Sequence, residues 1–309
     1  MTAVTIGPWQ TGLTDEQADP VRALFARVRD SDRRGPGAGD LPGPDAAVLP
    51  AAMDGDLVGL AWRSGDDPAE LVVDPPHRRR GHGRALAERV LPGGGIWAHG
   101  TLPAAAALAE SLGARPVRSM LQLRRDLAGP FVPELPDGVE IRTFVPGQDD
   151  AAFLGVNARA FAWHPEQGRL DHAGLAAQMA ERWFDPGGFF LAVWHGDRDG
   201  TEGADPGTGA EPAPGTVLGF HWTKVHAADP TPPPGASGPV GEVYVLGVDP
   251  ASPIRRLGTP LTVAGLRHLA LLGLTSVMLY VESDNGPALR LYRRLGFADY
   301  AADTVFARD

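Results

Sequence analysis

Cysteine is absent from this chain of 309 residues. Its absence excludes disulfides, thiolate metal sites and a cysteine nucleophile. The 9 histidines do not supply a metal-binding pattern in its place. His221 and His226, in "HWTKVH", are five residues apart, a spacing that fits neither one helix face nor one strand face. We therefore expect no metal cofactor.

A basic excess and a long apolar run are also absent. The formal net charge is -10, whereas a general nucleic-acid binder would present a basic surface. No apolar run approaches the roughly 20 residues of a membrane span. The opening "MTAVTIGPWQTGLTDEQ" lacks a signal-peptide pattern. We expect a cytoplasmic monomer with no nucleic-acid or membrane partner.

Lysine and asparagine are scarce. Lys224 is the single lysine among 28 basic side chains, and the asparagines are Asn157 and Asn285. If coding bias toward Ala, Arg, Gly and Pro explains this composition, the few remaining lysine and asparagine residues have no special role. Because arginine replaces lysine poorly where a compact ammonium is needed, Lys224 is also a candidate ligand contact.

The chain consists of two copies of one mixed α/β pattern. A linker with three prolines, "AGPFVPELPDG", separates residues 1–136 from residues 137–309. The best internal match places "VVDPPHRRRGHGRAL" on "GVDPASPIRRLGTPL", where Gly83 and Gly258 each lie nine residues after the aspartate. Such a duplication predicts two domains of one α/β fold, of the α+β kind with a mixed sheet.

Hydrophobic patterning predicts the elements of each half. In the first half, strands are expected at 47–53, 57–65, 69–76, 95–101 and 118–127, and helices at 14–30, 83–91 and 104–113. In the second half, strands are expected at 139–147, 189–197, 216–226, 241–250, 276–284 and 303–309, and helices at 149–162, 172–184, 261–273 and 286–296. Two polar stretches rich in Gly and Pro, 196–215 and 227–239, are expected to be disordered loops.

The stretch "HRRRGHGRAL" follows a strand and precedes a helix. Glycines allow backbone N–H groups to turn toward an anion, and a helix N-terminus adds a favourable dipole. Arginine runs are commonly solvated surface, but this position favours a phosphate-binding loop. The expected loop comprises Arg79, Arg80, Gly81, His82, Gly83 and Arg84.

This strand, loop and helix pattern resembles the acetyl-CoA signature of the GNAT superfamily of N-acetyltransferases. "NGPALRLYRRLGF" resembles its second signature, and the strings "HWTKVH", "GEVYVLGVDP", "LYVESDN" and "HPEQG" resemble the mycothiol synthase family within it. The resemblance implies two tandem GNAT acyl-CoA N-acyltransferase domains, with acetyl-CoA as cosubstrate. The acceptor would be a small-molecule amine, the cysteinyl amine of a cysteine–glucosamine–inositol conjugate.

The resemblance also assigns chemistry to the second half. Glu242 would be the base, although a lone glutamate is more often an exposed strand-end carboxylate. Tyr292 would protonate the departing thiolate, unless it is simply a core tyrosine. Contacts to the acceptor would come from Asp40, Glu181, Lys224, Glu242 and Tyr280. The match of Asp40 is loose, and a solvated loop aspartate is the alternative.

The same resemblance implies the cofactor contacts. A strand that bends away from its neighbour leaves backbone groups free for pantetheine, in each half. Those stretches are Leu71, Val72 and Val73, and Leu246, Gly247 and Val248. The remaining contacts of the second half would be Pro253, Ile254, Arg255, Arg256, Leu257, Gly258 and Thr259, with Asn285, Gly286, Pro287, Ala288, Leu289 and Arg290.

The two halves depart from the pattern in opposite ways. The first half keeps its loop but has Ala109 where Tyr292 stands, so it is expected to bind CoA without catalysis. The second half keeps the chemistry, but Pro253 and Arg256 replace expected loop residues. A residue other than glycine is costly at positive φ. Transfer to another amine and non-catalytic acetyl-CoA binding remain alternative functions.

Overall fold

The computed structural model describes residues 4–33, 35–36, 40–163, 167–196, 212–228 and 238–308. Most of the two predicted disordered loops, at 197–211 and 229–237, lies outside these residues. The same is true of residues 164–166 in "HPEQG". None of the helices in the described ranges is long and apolar enough to span a bilayer. Across those same ranges, no cluster of three or more His, Asp or Glu side chains is placed to hold a metal ion.

The first half contains every element that the pattern predicts, together with two short strands near its start. Its elements are β1 (Thr5–Ile6), β2 (Gln10–Thr11), α1 (Asp15–Asp32), β3 (Ala47–Met53), β4 (Asp56–Arg63), β5 (Glu70–Val73), α2 (His82–Val90), β6 (Ile96–Ala98), α3 (Pro103–Ser111) and β7 (Arg115–Asp126). Strands β1 and β2 are each two residues long, too short for alternation to reveal them.

The second half repeats this order. Its elements are β8 (Val139–Thr143), α4 (Asp150–Ala160), α5 (His172–Met179), β9 (Phe189–Trp194), β10 (Val217–His226), β11 (Val240–Val248), α6 (Gly258–Leu271), β12 (Ser276–Glu282), α7 (Gly286–Arg294) and β13 (Ala298–Ala307). The predicted mixed sheet is confirmed, because β11 and β12 are parallel while the pairs β10–β11 and β12–β7 are antiparallel.

The two halves exchange their last strands. One sheet has the order β1-β3-β4-β5, with β2 beside β3, and the other has the order β6-β13-β7-β12-β11-β10-β9-β8. Thus β7 of the first half lies between β12 and β13 of the second, and β13 pairs with β6 of the first. The proposed boundary near residue 136 falls in the segment between β7 and β8, while the sheet itself continues across it.

Two buried layers hold the second half together. On the α4 side of its sheet, aromatic rings form one cluster in which Phe189 stacks on Trp222 at a centroid distance of 4.6 Å. On the other side, leucines of α6 and residues of α7 pack against β12. The end of β11 between these layers is therefore held on both faces, which fixes the geometry of any site there.

The Val-Asp-Pro aspartates have the same structural role in both halves. Asp74 accepts hydrogen bonds from Arg27 of α1, the shortest being 2.7 Å, and Asp249 accepts them from Arg159 of α4, the shortest being 2.6 Å. Arg159 lowers the pKa of the buried Asp249. These ion pairs tie the strand end before each loop to a helix of the same half.

His221 of β10 is fully buried against α6, and its Nδ1 lies 2.8 Å from the carbonyl oxygen of Leu261. Burial lowers its pKa from 6.5 to about 4. The unfolded chain therefore binds an additional proton between these values, so stability is complete above about pH 6.5 and falls as the pH drops toward 4. The neutral imidazole is accommodated in the core without an ion pair.

We expect the wild-type chain to lose about 2 kcal/mol more unfolding free energy than His221→Gln between pH 7.5 and pH 5. Urea denaturation of both proteins at the two pH values measures this difference, and titrations of other groups cancel between them. Equal losses would show that His221 is not held neutral by burial.

Candidate active site

A cleft of about 1110 Å³ opens where β11 and β12 separate. The two parallel strands pair only near the start of β11, at Gly241 and Glu242. A slip in the pairing of β11 with β10 indicates a bulge just beyond this point. The later part of β11 then has a free edge toward β12 in the described sheet. That edge is the stretch Leu246–Val248, where the sequence predicted pantetheine contacts.

Most of the predicted second-half residues meet at this cleft. Those that line it are Leu246, Val248, Ile254, Arg255, Arg256, Leu257, Gly258, Thr259, Tyr280, Asn285, Pro287, Ala288 and Tyr292. Others lie on the same segments but are not lining residues: Glu242, Gly247, Pro253, Gly286, Leu289 and Arg290. Sequence reasoning missed further lining residues, among them Met120, Trp163, Gln167 and Arg294.

Glu242 is buried next to the cleft: the following residue, Val243, lines the cleft, whereas Glu242 itself is not a lining residue. Its side chain belongs to the last β11 residue that pairs with β12, and the residue is only 8% exposed. His226 Nε2 lies 2.6 Å from Glu242 Oε2. The interpretation of Glu242 as an exposed strand-end carboxylate is therefore wrong. A buried carboxylate beside a cleft is suited to accept a proton.

Lys224 lies directly across the β10–β11 pair from Glu242. Its Nζ is 4.5 Å from the ring centroid of Trp183 and 5.1 Å from that of Tyr244. These cation–π contacts hold the ammonium on the α4 side of the sheet. Glu181 is exposed in the turn that precedes Trp183 and does not line the cleft.

Tyr292 of α7 combines a buried ring with access to the cleft. The residue is 7% exposed, and its ring packs edge-on against Phe297 at 5.6 Å. Burial raises its pKa well above 10, so the phenol stays protonated at neutral pH. Its hydroxyl has no hydrogen-bond partner among the described residues. The side chain is thus both a core tyrosine and a proton donor available to a ligand.

Both asparagines have structural partners. Asn285 caps α7, because its side-chain oxygen accepts a hydrogen bond from the Ala288 N–H at 3.2 Å. This cap orients the helix that carries Tyr292. Asn157 is buried and donates to the carbonyl oxygen of Gln167 at 2.6 Å. The scarcity of asparagine in the sequence is therefore not evidence that these two residues bind a ligand.

The exchanged strand β7 supplies a partner that sequence reasoning missed. Gln122, which is 2% exposed, donates from Nε2 to the Tyr280 hydroxyl oxygen at 2.6 Å. Because that oxygen accepts from the amide, the Tyr280 O–H is left to donate elsewhere. Burial and the nearby Asp303 and Glu242 charges raise the pKa of Tyr280 to about 12. Glu282, two residues on, is bound by Arg118 at 2.6 Å.

The loop between β11 and α6 contains a left-handed residue where the sequence has no glycine. Arg256 has a φ of 66°, and the matching Gly81 in the first half has a φ of 90°. Helix α6 begins at Gly258, two residues later. The loop therefore has the same left-handed position as the first-half loop despite Arg256, at a conformational cost of about 1–2 kcal/mol.

The first half carries the corresponding loop on its surface. Arg79, Arg80, Gly81 and Arg84 are exposed, whereas His82 is buried at the start of α2. Burial, with the nearby His77 and Arg80, lowers the pKa of His82. A neutral His82 brings no positive charge, so the charge in this loop comes from its arginines.

In the first half, the surroundings of Leu71, Val72 and Val73 differ from those of the matching stretch at the end of β11. Beside this stretch, β5 approaches β6 through the single bridge Ala69–Ile96. Arg78 Nε donates to the carbonyl oxygen of Val73 at 3.0 Å. Ala109 lines a small apolar pocket of about 80 Å³ where the second half has the Tyr292 ring.

An ion triad lies beside this first-half stretch. Burial opposes the charge of His99, but hydrogen bonds to Asp303 and Glu70 raise its pKa to about 10. The imidazolium is thus held between two carboxylates and does not act as a base at neutral pH. Asp40, also from the first half, is an exposed loop residue outside the lining of the large cleft.

Comparison with known proteins agrees with this geometry. Residues 160–297 match the model of the acetyltransferase (GNAT) family. The chain is 45% identical to a mycothiol acetyltransferase of Saccharomonospora viridis, covering 97% of this chain and 98% of that protein. It is 46% identical to a mycothiol acetyltransferase of Streptomyces coelicolor, with 95% and 92% covered.

The chain belongs to the mycothiol acetyltransferase family. Its fold is that of GNAT acetyltransferases: a solved tandem GNAT protein from the clavulanic acid biosynthesis pathway superposes with a TM-score of 0.64 at 18% identity, covering 98% of both chains. Membership of the mycothiol acetyltransferase family confirms the resemblance read from the sequence strings. The roles of individual residues in this member remain predictions.

Proposed function

We propose that this chain transfers the acetyl group of acetyl-CoA to the cysteinyl amine of cysteine–glucosamine–inositol, giving mycothiol. The observation that carries the proposal is a cleft lined by Tyr292 and the free edge of β11, with the buried Glu242 directly before the lining residue Val243 on the same strand. Family membership supplies the acceptor. A carboxylate can act as the general base and a phenol as the general acid in amine acylation by a thioester.

In this mechanism Glu242 removes a proton from the substrate ammonium, directly or through water. The free amine attacks the thioester carbon, the C–S bond breaks, and Tyr292 donates its proton to the departing thiolate. The second proton of the attacking nitrogen is lost as the amide forms and restores the Tyr292 phenol, directly or through water. The raised pKa of Tyr292 keeps that proton in place until the thiolate develops. Each proton thus has a stated donor and acceptor.

The two substrates would enter along different surfaces. Acetyl-CoA would bind along the β11 edge, with its pyrophosphate at the loop 253–259, and the acceptor would contact Lys224 and Tyr280. The donor O–H of Tyr280 suits an acceptor oxygen of a sugar or an inositol. The roles of Glu181, Lys224 and Asp40 are predictions from the family resemblance, because none of the three lines the cleft. The first half would bind CoA without catalysis.

Mass-spectrometric turnover of the purified protein tests this function. The assay supplies acetyl-CoA with cysteine–glucosamine–inositol and a panel of polyamines, aminoglycosides and peptide N-termini. Acetylation of the cysteinyl conjugate alone is expected. Preference for another amine would favour the broader acetyltransferase alternative, and binding of acetyl-CoA without turnover would favour a non-catalytic binding protein.

Bulky substitutions at matching glycines of the two loops test which half is catalytic. A side chain at Gly258 would meet Leu291, and one at Gly83 would meet the equivalent Leu108. We expect Gly258→Trp to abolish turnover and Gly83→Trp to retain it, while Tyr292→Phe loses rate. Loss of turnover in Gly83→Trp together with full activity in Tyr292→Phe would show that catalysis takes place in the first half.

Arg256→Gly is expected to raise the KM for acetyl-CoA about threefold to fivefold with kcat unchanged, because an exposed charge contact is lost. It should also relieve the left-handed strain and raise the melting temperature. Arg79 has a similar φ of 61° in the first half, so Arg79→Gly is the matched control. That control should gain stability without changing KM. An unchanged KM in Arg256→Gly would remove Arg256 from the phosphate site.

A further inference from the structure

We infer that His226 is a positioning residue for Glu242: its Nε2–H holds the carboxylate in one orientation for the incoming amine. This inference rests on the proposed function. It starts from one contact, the 2.6 Å between His226 Nε2 and Glu242 Oε2. Neither the spacing of "HWTKVH" nor the family resemblance assigned a task to this imidazole.

The carboxylate needs such a partner because it is removed from water. Glu242 is 8% exposed, and a buried carboxylate is costly unless it accepts hydrogen bonds. Within the described part of the chain, His226 is its one hydrogen-bond partner. The orientation of the carboxylate therefore depends on this imidazole.

The other charged and titratable neighbours do not replace His226. Lys224 is in register with Glu242, but its Nζ is held over the rings of Trp183 and Tyr244. Burial and the Glu242 charge raise the pKa of Tyr244, and Tyr280 is held protonated in the same way. Both phenols thus stay neutral around pH 7. Histidine is the side chain whose charge changes between pH 5 and 8.

The strand register explains how His226 reaches the base. On β10, Lys224 lies opposite Glu242, and His226 lies two residues further, opposite Val240. Residues two apart on a strand share one face. His226 therefore contacts Glu242 diagonally from the strand end, while Lys224 fills the space directly opposite. One oxygen, Oε2, is engaged by the imidazole, and the other remains to accept the ammonium proton.

During turnover the proton moves only as far as Glu242. The ammonium N–H bond breaks, a carboxylic O–H forms on Glu242, and that proton is later released to solvent. His226 keeps its Nε2–H throughout and touches neither substrate. Its effect is on the orientation of Glu242, so its loss should lower kcat without changing the KM for acetyl-CoA.

The test compares full-length His226→Leu and His226→Gln with the wild type, using acetyl-CoA and cysteine–glucosamine–inositol. Loss of a hydrogen bond to a charged group should lower kcat/KM of His226→Leu about 10- to 100-fold near pH 7. The loss should fall on kcat, because the carboxylate is no longer held in one orientation for the incoming amine. His226→Gln keeps an N–H donor and should stay within about threefold of wild type.

The KM for acetyl-CoA should be unchanged in both variants. His195→Leu is the control, because His195 forms another His–Glu pair, with Glu140 at 2.9 Å, at an exposed position. Removing it should leave the rate as it is. A wild-type kcat in His226→Leu, or an equal loss in His226→Gln, would overturn the inference.

A measurement without substrate separates this inference from the proposed function. In the wild type, the nitrogen-15 chemical shifts of the His226 imidazole should respond to Glu242→Gln. If the wild type fails to acetylate cysteine–glucosamine–inositol, the proposed function is wrong. The chemical shifts test the pairing independently of turnover. If they do not respond to Glu242→Gln, the His226–Glu242 pairing is wrong.

Discussion

Glu242→Gln is expected to lower kcat about 100- to 10,000-fold, the usual contribution of a positioned general base. The amide keeps the size of the side chain and a hydrogen-bonding oxygen, so the buried position should still pack. It cannot take the ammonium proton, and the amine would then attack only in its rare free form. Steady-state kinetics at saturating acetyl-CoA measures this effect.

Calorimetry should show that Glu242→Gln binds acetyl-CoA as the wild type does, because the expected cofactor contacts lie further along β11 and on α6 and α7. Glu140→Gln serves as the matched control, since Glu140 is also a strand glutamate paired with a histidine. It should keep full activity. A loss below about threefold in Glu242→Gln would demote Glu242 to a structural role.

Residues 137–309 produced alone should have no measurable activity. Without β7, strands β12 and β13 lose the neighbour that lies between them, and unpaired strand edges aggregate or rearrange. Met120 would also be missing from the cleft lining and Gln122 from the Tyr280 hydroxyl. Activity assays and hydrogen exchange on the isolated half test this expectation.

Cutting the chain differs from removing the first half. A protease site inserted at the exposed Leu135 would cleave the segment between β7 and β8 while leaving the exchanged strands in place. The nicked protein should keep both fragments together and retain turnover. Activity in residues 137–309 alone would show that β7 is dispensable, and loss on nicking would show that the linker itself matters.

The sequence was informative where function depends on local pattern. The duplicated Val-Asp-Pro segment located both loops, and the family strings pointed to Glu242 and Tyr292. The structure places Tyr292 in the lining of the cleft and Glu242 directly before the lining residue Val243. The left-handed position at Arg256 was also foreseeable, because glycine stands at the matching place in the first half. In each case the information lies in short stretches of sequence that can be matched to each other or to the family.

Contacts between distant strands could not be predicted in this way. Gln122 and Tyr280 are separated by 158 residues, and no periodicity links them. The strand β7 has the same alternation whether it pairs within its own half or across to the other. The contact between His226 and Glu242 could not be predicted either. The five-residue spacing of His221 and His226 indicated only that the two imidazoles do not share one face of a helix or a strand.

The exchange of β7 and β13 also bears on how this protein responds to dilution. Two separate chains trading their terminal strands would assemble their clefts only above a threshold concentration. Here a tether of residues 127–138 joins the halves, and a short tether sets an effective concentration in the millimolar range. Specific activity should consequently be the same at nanomolar and micromolar protein, and the first half can lose its own chemistry while it still completes the sheet of the second.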